Sequence, residues 1–487
     1  MERPNILMIM TDQQRRDTLG AYGCKWIPTP NLDRLAASGT TFTAATVDNP
    51  ICTPSRASIF TGKTVPDHSV YRVHDNLPED EVLFTERLRL EAGYRTALFG
   101  KLHVSSRILE EKQRHPNDGF EIYEWCLEPS VGMDSRFNGY VAWLRANAPD
   151  FLAALKANKR SELHHPEAVH MSKWAADRTI DFIRTAKDDS RPFFCLMSLF
   201  DPHDPYQDYP ASTRQLIDET KIPPPIVRQS VPDCVRREQE GSYLGRSADF
   251  TAAEVHQIRL GYAASIAFAD QQIGRVLDAL DQAGLTEDTL VIFMSDHGDQ
   301  LGDHGLFVKG VGLYEPTVGV PLLLRWPGHI PLGARCGALA QGRDIAATCL
   351  TAAGLDAGKH CPDSEDLVAM TQRGKAIREA SVCVYRNSGV NNEGSFWNPP
   401  MLSIMARNEQ FKLTLYTRGN KTETELFDLK SDPEEQDNIA GASQHTEIER
   451  VLMMQIAHFL QKEAGAFRPR AEPSIPNTAQ KLANKLK

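Results

Sequence analysis

The sequence predicts an α/β fold: a doubly wound, mostly parallel sheet with helices on both faces, followed by a smaller C-terminal α+β subdomain. Three observations predict it. Short continuous apolar runs alternate with amphipathic stretches over residues 1–375, the pattern of buried parallel strands joined by crossover helices. Several of those runs end on a side chain capable of chemistry, as expected where a site lies outside the carboxyl ends of the strands. From residue 376 the texture changes to alternating strands joined by polar turns.

NILMIMTD is an apolar run closed by Asp12, a buried strand with an acid at its end. IPTPNLDRLAASGTTFTAATV reads as a helix stopped at Gly39, then a strand. TERLRLEAGYRTALFGKLHV repeats the pattern, with Lys101 and His103 just past the strand. RPFFCLMSLFDPHDPY is a strand followed by a loop carrying His203. A long amphipathic helix begins at AAEVHQIRL, and TLVIFMSDHGDQLGDHG is the next strand, ending in Asp296 and His297. VGVPLLLRWPG is a further strand. Residues 104–190 are less regular and read mostly as an insertion over the site. There Trp125, Arg136, Asn138 and Trp143, with Trp397 further on, are candidates to line a substrate pocket. The predicted division is 1–375 for the catalytic domain, 376–466 for the α+β subdomain and 467–487 for an extended arm suited to contacts in a homo-oligomer.

Composition narrows the function classes. A chain of 487 residues exceeds one ordinary core, and 41% hydrophobic with 24% charged residues is the balance of a soluble globular protein. A formal net charge of −10 gives no basic footprint for nucleic acid, so an anionic small substrate would need a locally positive pocket. The apolar run at the N-terminus is far shorter than a membrane span and no small-residue cleavage site follows it. No membrane association is expected, and the expected location is cytoplasmic. The nine cysteines are widely spaced, with no C-x-x-C pair to build a zinc site.

One of those cysteines stands on a turn, in NPICTPSRASIFTG. Pro54 suits a first helical turn, and Arg56 follows Cys52 by one helical turn, on the same face. A helix N-terminus with a guanidinium nearby makes an anion site beside Cys52. A plain buried thiol next to an unrelated arginine is the alternative that so short a pattern leaves open. Asp12, Gln13, Asp296 and His297, at the ends of two strands, suit a hard divalent cation held by oxygen and one nitrogen. A loop of turn formers is the competing reading of SDHGD. Asp299, Asp303 and His304, further from the strand end, rank behind them. Lys101, His103, His203 and Lys309 could together bind a tetrahedral oxyanion and protonate a leaving oxygen.

At this point the residues resemble a known family. CTPSRASIFTG is similar to the signature of the type I, formylglycine-dependent sulfatases of the alkaline phosphatase superfamily. NILMIMTDQ, GKLH, DPHDPY, SDHGDQLGDHGLFVKG and ELFDLKSDPEEQDNIAG resemble that family in the same order, so the likeness spans nearly the whole chain. The resemblance implies an alkaline-phosphatase-like fold and a sulfuric ester hydrolase that releases an alcohol or phenol and inorganic sulfate. It implies that a formylglycine-generating enzyme converts Cys52 to formylglycine, whose hydrate attacks sulfur to give a covalent sulfate hemiacetal. It also implies a cation at Asp12, Gln13, Asp296, His297 and the modified Cys52, with calcium expected first and manganese or magnesium as alternatives. Arg56, Lys101 and Lys309 would stabilise the sulfuryl oxygens, His203 or Lys309 would protonate the leaving alcohol, and His103 would help expel sulfate. Gln13 and His297 depart from many sulfatases and are reminiscent of the phosphonate monoester hydrolase branch. A phosphonate monoester or phosphodiester hydrolase is therefore the alternative. A silent binding protein with an unmodified Cys52 is a third reading, and a phosphatase using Thr53 or Ser55 a fourth, whose register is wrong.

Overall fold

The strand β1 (Asn5–Thr11) organises the molecule, because every residue from Ile6 to Met10 is fully buried. Its side chains alternate between two cores. Ile6, Met8 and Met10 enter one, and Leu7 and Ile9 the other, as a strand covered on both faces requires. The computed structural model describes residues 3–157, 165–186, 189–228, 230–241, 249–391 and 394–465. The arm expected at 467–487 lies outside them.

β1 pairs in parallel with β5 (Phe193–Ser198) on one side and β6 (Thr289–Ser295) on the other, with Thr11 opposite Ser295. β3 (Arg95–Gly100) adds beyond β5 and β4 (Ile122–Trp125) beyond β3, both parallel. Past β6 come β7 (Leu322–Arg325), β2 (Thr40–Phe42) and β8 (Ala334–Cys336), giving the order β4-β3-β5-β1-β6-β7-β2-β8. β7 runs against both of its neighbours, the one reversal among these eight strands. In this order the carboxyl ends of β3, β5, β1 and β6 stand side by side.

Helices cover both faces. The helix Ala252–Gln282 starts at a capping box of Thr251 and Glu254 and lays Ala269, Ile273, Val276, Leu277 and Leu280 on the Leu7 and Ile9 face. On the other face lies the helix Cys52–Thr61, with Ala57, Ile59 and Phe60 in the core and Phe60 stacked on Phe84 at 5.7 Å.

Residues 104–190 are expected mostly as an insertion over the site, but among the described residues much of the stretch belongs to the sheet and core. They supply β4 and the helix Met171–Ala186, which packs Trp174, Ile180, Phe182 and Ile183 into the core beside Leu7. The proposed pocket residues follow suit. Trp125 is fully buried and donates its indole N–H to Glu110 at 3.0 Å. Asn138 caps the helix Gly139–Asn147 through Val141 N at 2.9 Å, Trp143 stacks on Tyr140, and Arg136 lies over Phe137. The six-membered ring of the Trp397 indole closes on Gly241.

After residue 375 the chain forms an antiparallel sheet ordered β12-β11-β10-β9, from β9 (Ser381–Arg386), β10 (Met401–Arg407), β11 (Phe411–Arg418) and β12 (Lys421–Asp428). One face carries Leu413 and Leu426 under Leu452 and Ile456 of the helix Thr446–Gly465. The other sends Cys383, Tyr385, Met401, Met405 and Phe427 into the same core as β1. Buried ions stitch the junction: Glu315 meets Arg16 at 2.6 Å, Arg407 at 3.0 Å and Lys412 at 3.3 Å, and Lys412 also pairs with Glu435. Among the described residues no helix is long and apolar enough to cross a membrane.

Candidate active site

The adjacency of β1 and β6 puts Asp12 beside Asp296. Asp12 follows the last residue of β1, Asp296 the last of β6, and Asp296 N donates to Thr11 O. His297 is next in the chain. Its Nδ1 lies 2.9 Å from Gly298 O, which can only accept, so in the neutral ring Nε2 is the acceptor. That Nε2 faces Asp12 Oδ1 at 3.5 Å and Asp296 Oδ1 at 3.6 Å, all three residues fully buried. Neither His297 Nε2 nor Asp12 Oδ1 has a hydrogen-bond partner. Buried acceptors turned toward one another repel unless a cation lies between them. Asp12, Cys52, Asp296 and His297 each bring a donor atom to within 4.8 Å of the others, a set that fits a divalent ion.

Cys52 opens the buried helix Cys52–Thr61, with Ile51 as an N-cap that supplies no side-chain bond. The uncapped N–H groups of Cys52 and Thr53 therefore keep their partial positive charge beside residue 52, Pro54 having none to offer. Burial pushes the Cys52 thiol up, but Lys101 and Lys309, with hydrogen bonds from His103 and His203, hold it well below the ordinary thiol range. The environment favours negative charge where the reacting group stands.

Arg56 is where the structure refines the sequence reading. It is fully buried, and its guanidinium reaches Asp296 Oδ2 at 2.6 Å, Lys101 O at 2.9 Å, Ser198 Oγ at 3.0 Å and Asp12 Oδ2 at 3.2 Å. It braces the two carboxylates from behind. Lys101 Nζ adds a 2.5 Å contact to Asp12 Oδ2. Against the upward push of burial, Lys101, His203 and Arg56 hold the Asp12 carboxyl well below the usual carboxylate range.

Gln13 adopts a left-handed backbone, φ 66°, held by Tyr262, whose hydroxyl donates to Gln13 O at 2.7 Å. Its amide links the cation set to the outer ring of charges: Nε2 donates to Asp299 at 2.6 Å, and Oε1 accepts from Lys309 Nζ at 2.6 Å. Lys309 Nζ also lies 2.8 Å from His203 Nε2, while His203 Nδ1 lies 2.8 Å from Asp204 O. Burial and Lys309 push His203 down, and Asp204 and Asp12 outweigh them, raising it to about 9. Asp299, ranked behind the metal set, also accepts from Tyr206, and Asp303 pairs with Arg15 and Arg259.

His103 approaches from β3 with φ 60°, its Nε2 at 3.1 Å from Thr53 Oγ1. What holds this strained residue is Glu110, whose two oxygens accept from the N–H groups of His103 at 3.0 Å, Val104 at 2.8 Å and Ser105 at 3.2 Å. Sequence reasoning missed Glu110, Asp204 and Tyr262, and weighed Thr53 only as an alternative nucleophile, not as the neighbour of His103. Glu110 left a trace in its place a few residues after GKLH, but nothing in the pattern says that it turns back.

Cation donors, a nucleophile position and a ring of ammonium and imidazole groups, at the carboxyl edge of a doubly wound sheet, define a hydrolase for tetrahedral anionic esters. The chain belongs to the sulfatase family, whose family model matches residues 4–355; it is a sulfuric ester hydrolase. A second model, for the C-terminal part of N-sulphoglucosamine sulphohydrolase, matches residues 302–462. The chain is 30% identical to an arylsulfatase of Clostridium perfringens, over 91% of this chain and 92% of that one. It is 28% identical to a multifunctional alkaline phosphatase superfamily protein of Trinickia caryophylli, over 91% and 92%. In fold it is similar to the crystal structure of a phosphonate monoester hydrolase of Agrobacterium radiobacter, with a TM-score of 0.75, 24% identity and 96% of each chain covered.

Proposed function

We propose that this sulfuric ester hydrolase cleaves sulfate monoesters of small alcohols or phenols, with formylglycine made from Cys52 as the reacting group and one divalent cation as its partner. The observation that carries this reading is the position of Cys52, at a buried helix N-terminus and within 4.8 Å of the donor atoms of Asp12, Asp296 and His297. Once hydrated, the formylglycine supplies an oxygen nucleophile for sulfur. The cation, held by Asp12, Asp296 and His297 with Gln13 and residue 52 alongside, offsets negative charge at the reacting centre. Two carboxylates favour calcium, and the imidazole keeps manganese or magnesium as outcomes of the test.

The chain's own residues then divide the work. Lys101 and Lys309, whose charges both act on residue 52, bind the sulfuryl oxygens. Arg56, engaged with Asp12 and Asp296, keeps the carboxylates in place and contributes its charge from behind. His203, oriented by Asp204 and in contact with Lys309, delivers the proton to the leaving oxygen. His103, next to Thr53, accepts a proton from the residue-52 side chain as sulfate departs. A formylglycine-generating enzyme is the partner that maturation requires. The eight cysteines other than Cys52, all unpaired, suit a reducing compartment, and we propose the cytoplasm as the protein's location.

The test is the mass of the tryptic peptide that follows Arg34 and ends at Arg56, from protein co-expressed with a formylglycine-generating enzyme. A deficit of about 18 Da against unmodified cysteine supports the reading, and an intact thiol in active enzyme overturns it. Parallel kinetics on an aryl sulfate and an aryl phosphonate monoester rank the two ester classes, with sulfate expected ahead.

A further inference from the structure

Lys309 is carried by a strap, residues 306–311, that has no helix or strand of its own. A side chain that must meet both Gln13 and His203 needs the strap fixed from outside. The helix Asp233–Glu240 does this with two consecutive buried side chains. Gln239 exchanges a pair of hydrogen bonds with Phe307, Nε2 to O at 3.0 Å and Phe307 N to Oε1 at 3.1 Å. Glu238 Oε2 accepts from Val311 N at 2.5 Å. Lys309 stands between these two anchor points.

The second oxygen of Glu238 faces away from the strap. It accepts from the hydroxyl of Tyr385 on β9, and that hydroxyl accepts from Gly389 N at 2.8 Å. On β10, Ser403 Oγ donates to Val311 O at 2.7 Å. A Cβ at Gly310 would collide with Glu238 Oε2, and one at Gly389 would lie 2.8 Å from Oε1. The carboxylate is thus closed in between the strap and the loop that follows β9. Filling that space needs no charge, and burying a carboxylate there is costly. A carboxylate does what an amide of the same shape cannot: it accepts from Val311 N–H and Tyr385 O–H at once.

We propose that Glu238 is a positioning residue for Lys309, through which β9 sets where the Lys309 side chain meets the sulfate ester, beside the direct anchor that Ser403 of β10 gives Val311. This rests on the role given to Lys309 in sulfate-ester hydrolysis. The experiment compares wild type, Glu238→Gln, Lys309→Ala and the double variant on 4-nitrophenyl sulfate, with thermal midpoints and hydrogen exchange of peptides covering 306–314. In Glu238→Gln the amide N–H₂ opposes one of the two donors. Expected are a kcat/KM loss of about 10- to 100-fold, mostly in kcat, and faster exchange in the strap. On the Lys309→Ala background the same change should cost nothing further. Glu238→Gln with lowered thermal midpoint but wild-type kcat and KM overturns the proposal, as does an equal loss on both backgrounds. Should Glu238→Gln not fold, Tyr385→Phe removes only the β9 arm, and a smaller kcat loss is expected; unchanged kcat counts against the proposal. Lys309→Ala with wild-type turnover removes the role of Lys309, and the proposal with it. That failure is recognised separately, because strap exchange in Glu238→Gln would still rise.

Discussion

Lys309 Nζ and His203 Nε2 are 2.8 Å apart, and that contact admits one donor. With His203 Nδ1 facing Asp204 O, a single N–H spans the gap between the imidazole and the Lys309 nitrogen. In the proposed reaction that proton would be the store on which an oxygen leaving with charge draws.

The leaving group should report on that store. His203→Ala should slow an alkyl sulfate about 10²- to 10⁴-fold, because alkoxide needs the proton. A nitrophenyl sulfate, whose phenolate leaves unaided, should lose far less. Equal losses on both substrates would show that His203 binds and does not protonate.

The acceptor cluster predicts metal dependence with a structural signature. Asp296→Asn removes a donor and loosens Arg56 together, so bound metal should be lost along with turnover. Metal analysis of the purified chain checks this, and re-addition of calcium, manganese or magnesium after chelation identifies the ion. Full metal content in the variant would place the cation elsewhere.

Arg56→Lys should be poorly tolerated although it conserves charge. A lysine cannot reach Asp12, Asp296, Ser198 and Lys101 O together, and it leaves buried carboxylates partly unpaired. The expected cost is about 3–5 kcal/mol in urea unfolding. A variant as stable as the parent would mean that Lys101 alone neutralises the pair.

Acid should unfold the protein through its buried histidines. His68 receives Val70 N–H on Nδ1 and lies 2.8 Å from Ser58 Oγ through Nε2, so it is buried neutral. Burial, with Lys63, lowers it from 6.5 to about 3. A depressed folded value means that the stabilisation is complete above pH 6.5 and drains away as pH falls toward 3. The slope is about 1.4 kcal/mol per pH unit for each such histidine. His68→Gln should flatten the fall in unfolding free energy between pH 6 and 4. An unchanged slope would exonerate this residue.

The gathering of Asp12, Cys52, Asp296 and His297 was readable because strand ends announce themselves: an apolar run stops on a polar residue, and parallel sheets collect such ends at one edge. Lys101, His103 and His203 follow by the same logic. The braces were not readable. Glu110 and Glu238 act on backbone N–H groups, and no sequence pattern marks which distant amide a carboxylate will meet. The stretch 104–190 misled because the helix Met171–Ala186 mixes Lys173, Asp177, Arg178 and Asp181 with its buried face, and because β4 is only four residues long. Nor did the run PLLLR reveal that β7 is antiparallel, since direction is set by the connections.

The central place of β1 has a consequence for biogenesis. β1 must wait for residues 193–198 before its first edge is satisfied and for residues 289–295 before its second. At about 5–20 residues per second, the residues separating β1 from β6 occupy roughly 15–55 s. Through that interval the run ILMIM is an open, sticky edge that depends on dilution or chaperones. The helix that will bury Cys52 rests on a sheet that is still incomplete. Under the maturation proposed for Cys52, the delay that endangers the nascent chain would keep Cys52, Pro54 and Arg56 legible to a modifying enzyme, and folding speed and maturation yield should trade against each other.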